Sequence, residues 1–202
     1  MPRSDREQSI LDAAGQVFAR GYHGASMDQI AGLADVSKPM LYAYFGSKEG
    51  LYVAYVDRTG RELLARLAGA TTPDDQPSVR LRAGILEFLA FIEEHRDGWQ
   101  VLFGELTSMG PVVDEVAVLR RRIAEWIMAV LAGATRAQGH VPDISVEATA
   151  HAIVGAGESL ANWWLEHPHV RRDQVADWYM GMILAAASAA TGEGHTAGTR
   201  DA

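Results

Sequence analysis

No cysteine occurs in the 202 residues, so neither a disulfide framework nor a thiolate zinc site is available, and the chain suits a reducing compartment. Strand-period alternation is missing too, which points away from sheets. No apolar run reaches the roughly 20 residues of a membrane-spanning helix, and the opening MPRSDREQ has no apolar signal segment. The expectation is a soluble, cytoplasmic protein without a membrane partner. Basic residues are scarce, 18 Lys and Arg against 26 Asp and Glu, for a formal charge of −8. That excludes a broad basic field that would hold nucleic acid non-specifically. The deficit is uneven: through Gly50 five basic residues face six acidic ones, so most of the acidic excess falls later in the chain.

What is present is helical periodicity, over a chain that is 48% apolar and can therefore bury a substantial core. The densest signal runs from Ser26 to Leu51. Met27, Ile30, Ala31 and Ala34 recur at three- and four-residue spacing, Ser26 is placed to cap the first amides, and Gln29 can reach back to it. Asp35, Val36 and Ser37 break the pattern. Ser37 then suits the N-cap of a second helix, and Pro39 in its first turn costs little because amides there have no intrahelical partner.

Leu41 and Phe45, four apart, share one face and should pack on Ile30, Ala31 and Val36. The opposite face carries Pro39, Met40 and Ala43, flanked by Tyr42 and Tyr44, and holds no carboxylate. Such a face can enter a major groove without repelling phosphates. Lys38 begins that helix, Met40 and Ala43 suit thymine methyls, and the two tyrosine hydroxyls suit phosphates. Gly46 should end the helix and Ser47 cap the next, leaving Lys48 beside free amides as a phosphate site. Contacts of that last kind position a protein without reading sequence.

These residues resemble the helix-turn-helix of the TetR family of bacterial regulators. The likeness lies in Ile30-Ala31-x-x-Ala34, Val36-Ser37, Leu41-Tyr42-x-Tyr44-Phe45 and Ser47-Lys48-Glu49-x-Leu51, with Asp35 where a turn glycine is frequent and Pro39 where a small residue is common. It implies an all-α fold in which an N-terminal three-helix helix-turn-helix domain, residues 1–50, joins a larger helical ligand-binding and dimerisation domain, residues 51–191. A tail over 192–202, small and polar, is expected to be disordered. The DNA-binding set is Ser26, Ser37, Lys38, Pro39, Met40, Tyr42, Ala43, Tyr44 and Lys48.

Elsewhere the pattern predicts a bracing first helix opened by a Ser4/Glu7 capping pair, with Arg3 and Arg6 either reaching DNA or merely solvated. A long helix should run from Ser47 to about Ala70, before the breaker TTPDDQP. Further helices are expected from Ser78 to His95, from Asp97 or Gly98 to Gly110, on to Gly139, from Ser145 to Glu166 and from Arg171 to Thr191. Small residues line the last two. Ala152, Ala156 and Leu160 with Met182 and Ala186 are candidates for a homodimer interface, by the resemblance, with packing inside one monomer as the alternative.

Catalytic signatures are lacking: there is no G-x-S-x-G and no phosphate-cradling glycine loop. Glu147/His151 and Glu166/His167/His169 fall short of a metal-ligand set, so no metal, no cofactor and no enzymatic activity are expected. The resemblance implies a small-molecule effector, for which Phe88, Trp99, Phe103, Trp126 and Trp163 are the candidate lining, though aromatics at helical spacing are more often plain core. The reading is a ligand-released repressor on a pseudo-palindromic double-stranded operator. The rivals are an activator or ligand-independent regulator with the same reader, or a helical enzyme or lipid carrier.

Overall fold

The computed structural model describes residues 3–72, 74–96, 99 and 110–192, the last stretch with side chains over 114–185. Every regular element among the described residues is a helix: α1 Arg3–Phe18, α2 Met27–Leu33, α3 Lys38–Phe45, α4 Lys48–Gly69, α5 Pro77–Glu94, α6 Gly110–Ala137, α7 Ile144–Glu166 and α8 Arg172–Gly192. The expected boundaries hold within one or two residues wherever a cap sets them. Ser4 is an exception: α1 already begins at Arg3, so Ser4 lies within its first turn, and its hydroxyl donates to Asp5. The short helix expected from Asp97 to Gly110 lies outside the described residues apart from Trp99, as does the tail from 193 on. None of the described helices is long and apolar enough to cross a membrane.

Two main cores form. The first gathers Ile10, Ala14 and Phe18 of α1, Ile30 of α2, Leu41 of α3 and Leu51, Tyr52, Tyr55 and Val56 of α4. Val116 and Leu119 of α6 complete it. The second joins α5, α6, α7 and α8 around Leu89, Ile92, Ile127, Ala161 and Val175. Between them a small cluster pairs Leu63 and Leu67 of α4 with Phe91 of α5. Helix α4, 22 residues and about 33 Å long by its rise, therefore has its first half in one core and its end against the other.

The helices meet where glycine permits. A Cβ on Gly60 would come 3.1 Å from the Leu119 methyls, so α4 and α6 approach closely there. At the other flank Arg58 ties α4 to α1, donating to Asp12 at 2.7 Å and to Gln8. The first four helices are thereby braced as one body.

Tyr52 lies in the heart of the first core, edge-on to Phe18 at 5.0 Å and to Tyr22 at 5.1 Å. Burial pushes its phenol up to about 12. An unfolded tyrosine ionises near 10, so the native state holds this proton more tightly. The resulting stabilisation is complete below pH 10 and disappears as pH rises toward 12, a loss of about 2–3 kcal/mol. Urea midpoints at pH 8 to 11.5 should fall over that window, and less steeply in Tyr52→Phe.

Candidate nucleic-acid interface and sensor cavity

The reader is assembled by local chemistry. Ser26 caps α2 in a full capping box, accepting from the Gln29 amide at 3.2 Å while the Gln29 side chain accepts from the Ser26 amide at 3.1 Å. The turn passes through Asp35 at φ 53, a left-handed conformation that Asp tolerates. Ser37 then caps α3, with Pro39 in the first turn. Leu41 is fully buried with Ile30, while Phe45 and Val36 close the same cluster from its edge. Gly46 ends α3 at φ 73, and the Ser47 hydroxyl accepts from the Gly50 amide at 2.9 Å to open α4.

This packing turns the rest of α3 outward. Lys38, Pro39, Tyr42 and Ala43 are exposed, and Met40 and Tyr44 are half-buried. Two of the cations have protein partners that sequence did not reveal. Lys38 donates to Asp28 of α2 at 2.8 Å, an exposed pair easily exchanged for water or phosphate. Lys48 donates to the Ala25 carbonyl at 2.7 Å and lies over the Tyr22 ring at 4.3 Å. Burial holds its ammonium below the usual lysine range, so in this arrangement Lys48 fastens the α1–α2 loop to α4. The start of α1 joins the same surface: the Arg3 guanidinium sits 5.2 Å from the Tyr44 ring centre, and Arg6 shares a shallow groove with Ser37 and Met40.

In the second core, α5, α6, α7 and α8 leave a largely apolar cleft with a cavity volume of about 50 Å³. Of the candidate lining residues, Phe88, Trp99 and Trp126 border it; Phe103 lies outside the described residues. Trp163 is elsewhere. It is 38% exposed on the outer face of α7, stacked on His167 at 4.3 Å and edge-on to Trp178 of α8 at 6.3 Å. Trp163 therefore does not line the cleft, because Ala161 and Trp164 hold the inward positions of α7. Leu67 of α4 and Tyr179 of α8 line the cleft without having been singled out. Glycines inside helices were the available signal for such close approach. A Cβ on Gly84 would come 2.4 Å from Trp126, and one on Gly157 would come 2.7 Å from the Tyr179 hydroxyl.

Among the described residues the cleft has few polar groups, and they are engaged. Trp99 Nε1 donates to Asn162 at 2.8 Å, and the Tyr179 hydroxyl donates to the Ile153 carbonyl, its phenol pushed up by burial. Glu158 accepts two bonds from Arg120, Nε to Oε1 at 2.8 Å and an Nη to Oε2 at 2.9 Å. No cluster of three or more metal-ligating side chains occurs among the described residues. Of the expected dimer residues, Ala152 and Met182 are exposed, Ala156 and Leu160 are half-buried against the monomer core, and the Ala186 side chain lies outside the described residues.

An outward α3 seated on a capped α2, ahead of a larger set of helices, defines a helix-turn-helix transcriptional regulator. Residues 10–55 match the family model for bacterial regulatory proteins of the tetR family, and residues 77–186 match that for the tetracyclin repressor-like C-terminal domain. The chain belongs to the TetR family. It is 33% identical over 171 residues to the HTH-type transcriptional activator FasR of Mycolicibacterium smegmatis, covering 83% of this chain and 75% of that protein. A TetR-like regulator from Rhodococcus sp. RHA1 superposes with a TM-score of 0.78 at 36% identity, covering 93% of this chain and 98% of that one. FadR of Bacillus subtilis, solved in complex with stearoyl-CoA, shares the fold at a TM-score of 0.77 and 17% identity, over 87% of this chain and 96% of that one.

Proposed function

We propose that this regulator binds a pseudo-palindromic operator as a homodimer, represses transcription from it, and is released by a small molecule in the α5–α8 cleft. The observation that carries the reading is the outward face of α3, where Lys38, Pro39, Tyr42 and Ala43 are presented to solvent on a buried Leu41 anchor. Residues 1–50 are the reader, with Ser26, Ser37, Lys38, Pro39, Met40, Tyr42, Ala43, Tyr44 and Lys48 as its DNA-facing set. Residues 51–191 bind effector and pair the protomers, in the cytoplasm. One short α3 reads few bases, so two copies about 34 Å apart in successive major grooves supply the specificity.

The outer face of α7 and α8 is the pairing surface. Trp178 and Met182 are about half-exposed there, beside Ala152 and Trp163. Coupling runs through α4, whose Leu67 lines the cleft and whose first turn follows α3. An effector releases DNA to the extent that it favours the arrangement with the wrong spacing between the two α3 helices. A second reading, activation from an operator upstream of the promoter, draws support from the 33% identical relative named an activator.

The test is fluorescence anisotropy of the full-length protein on DNA upstream of its own gene, with salt varied. Saturable binding to one imperfect palindrome is expected. Tyr42→Ala should weaken it about tenfold or more, since each protomer loses a bond to phosphate of about 1 kcal/mol. Lys38→Ala should lower the salt slope by about 2 per dimer. Operator affinity unchanged in both variants would sink the assignment of α3. Transcription in vitro from that promoter then separates repression from activation.

A further inference from the structure

Positive charge is scarce on the reading face, so the group that each cation touches decides how much of it DNA can use. Through Gly50 there are five basic residues, and Arg3, Lys38 and Lys48 stand on or beside the outward face of α3. Arg3 meets the Tyr44 ring, and Lys48 meets the Ala25 carbonyl and the Tyr22 ring, contacts that leave both charges uncancelled. Lys38 differs. Its ammonium donates to the Asp28 carboxylate at 2.8 Å, an opposite charge at hydrogen-bond range.

That pair joins the two helices of the reader, with Asp28 in the first turn of α2 and Lys38 at the start of α3. The Asp28 side chain is 70% exposed and that of Lys38 45%, so the bond is held in water, where exchanging it costs little. How α3 sits on DNA then selects the partner of Lys38. A protein lying loosely on any duplex is held by counterion release, to which a lysine already neutralised by a carboxylate adds almost nothing. A seated α3 instead offers the start of the helix fixed acceptors on the groove wall, and Asp28 turns to solvent.

Resting on the reading of α3 as the recognition helix, we infer that Asp28 is a specificity-determining residue that withholds Lys38 from DNA other than the operator. The lysine counts toward binding only where α3 fits. Asp28 adds no contact to the operator; it lowers the affinity for every competing site, and discrimination is the ratio of the two affinities.

Anisotropy on the operator and on a random duplex of equal length, over a salt series, tests this with full-length wild type, Asp28→Asn, Asp28→Glu and the double variant Asp28→Asn/Lys38→Ala. Circular dichroism verifies each fold. Asp28→Asn should tighten random binding about tenfold near 0.1 M salt and steepen its salt slope by about 2 per dimer, because each protomer gains a phosphate contact. Operator affinity should rise by less than about threefold, since an exposed pair is exchanged there at little cost. Asp28→Glu keeps the charge and should match wild type on random DNA. The double variant replaces a neutral pair by neutral residues, so it too should match wild type on random DNA while binding the operator more weakly.

Equal tightening on both duplexes in Asp28→Asn would overturn the inference and make Asp28 a general repulsive charge. Weaker operator binding in that variant would also overturn it, by making the carboxylate a DNA contact or a brace for Lys38. Unchanged binding to both duplexes would show that the pair has no part in discrimination. The reading of α3 fails on different results, a wild type that prefers no sequence or a Tyr42→Ala variant with full operator affinity, and the inference then falls with it.

Discussion

Gly50→Ala is expected to abolish specific operator binding and to lower stability by about 1–3 kcal/mol, near the top of that range. Gly50 stands in the first turn of α4, where the chain has just reversed out of α3. A Cβ there would lie 2.2 Å from the Phe45 carbonyl oxygen and 3.4 Å from its carbon. That oxygen already accepts the Ser47 amide at 2.8 Å. The obstruction is backbone, so no rotamer change relieves it, and the end of α3 must move away from α4. Displacing α3 by even a fraction of an ångström tilts Tyr42 and Ala43 relative to a groove, and the dimer suffers the error twice. Urea unfolding at fixed protein concentration and anisotropy on operator DNA check both effects. A wild-type midpoint together with wild-type affinity would show that the α3–α4 junction is more compliant than this geometry allows.

The second large effect is expected at Trp99. The side chain is fully buried, meets Phe88 edge-on at 5.4 Å, and donates Nε1–H to Asn162 at 2.8 Å. Trp99→Ala removes a large apolar body and enlarges the cleft, at a cost of about 3–5 kcal/mol. Trp99→Phe separates the contributions. It keeps much of the volume and gives up the bond to Asn162, an exposed residue whose amide can turn to water. The Phe variant should therefore lose less than about 1.5 kcal/mol. Thermal or urea unfolding of the pair distinguishes packing from hydrogen bonding; equal losses would make the Asn162 bond the dominant contribution.

Legibility followed the range of the interactions. Ser26, Ser37 and Ser47 each act within four residues, so the caps of α2, α3 and α4 could be read from spacing alone. Leu41 was equally plain, because a helix with one apolar face has one way to turn inward. The residues that escaped reading act across the chain. Lys48 is 23 residues from Ala25 and Lys38 ten from Asp28, and no periodicity announces either pair. Trp163 misled for a different reason. It neighbours Trp164, and deciding which ring faces inward on α7 requires knowing where α8 and the 167–171 loop pass; the Trp164 indole donates to the Val170 carbonyl at 2.8 Å. Gly50 read as an unremarkable position, because the Phe45 carbonyl it must clear becomes a neighbour only once the α3–α4 reversal is built.

The first core admits no clean cut. Tyr52, Tyr55 and Val56 lie beyond residue 50, and Val116 and Leu119 come from α6 of the distant part of the chain. A chimera that transplants residues 1–50 onto another sensor would leave the contributors to its own interior behind, and would ask the recipient's sixth helix to supply a matching valine and leucine. Grafts with the seam after Val56, onto recipients apolar at those two places, should retain a folded head. For this architecture, then, exchangeable parts are defined by who fills the shared interior and not by where the recognition motif stops.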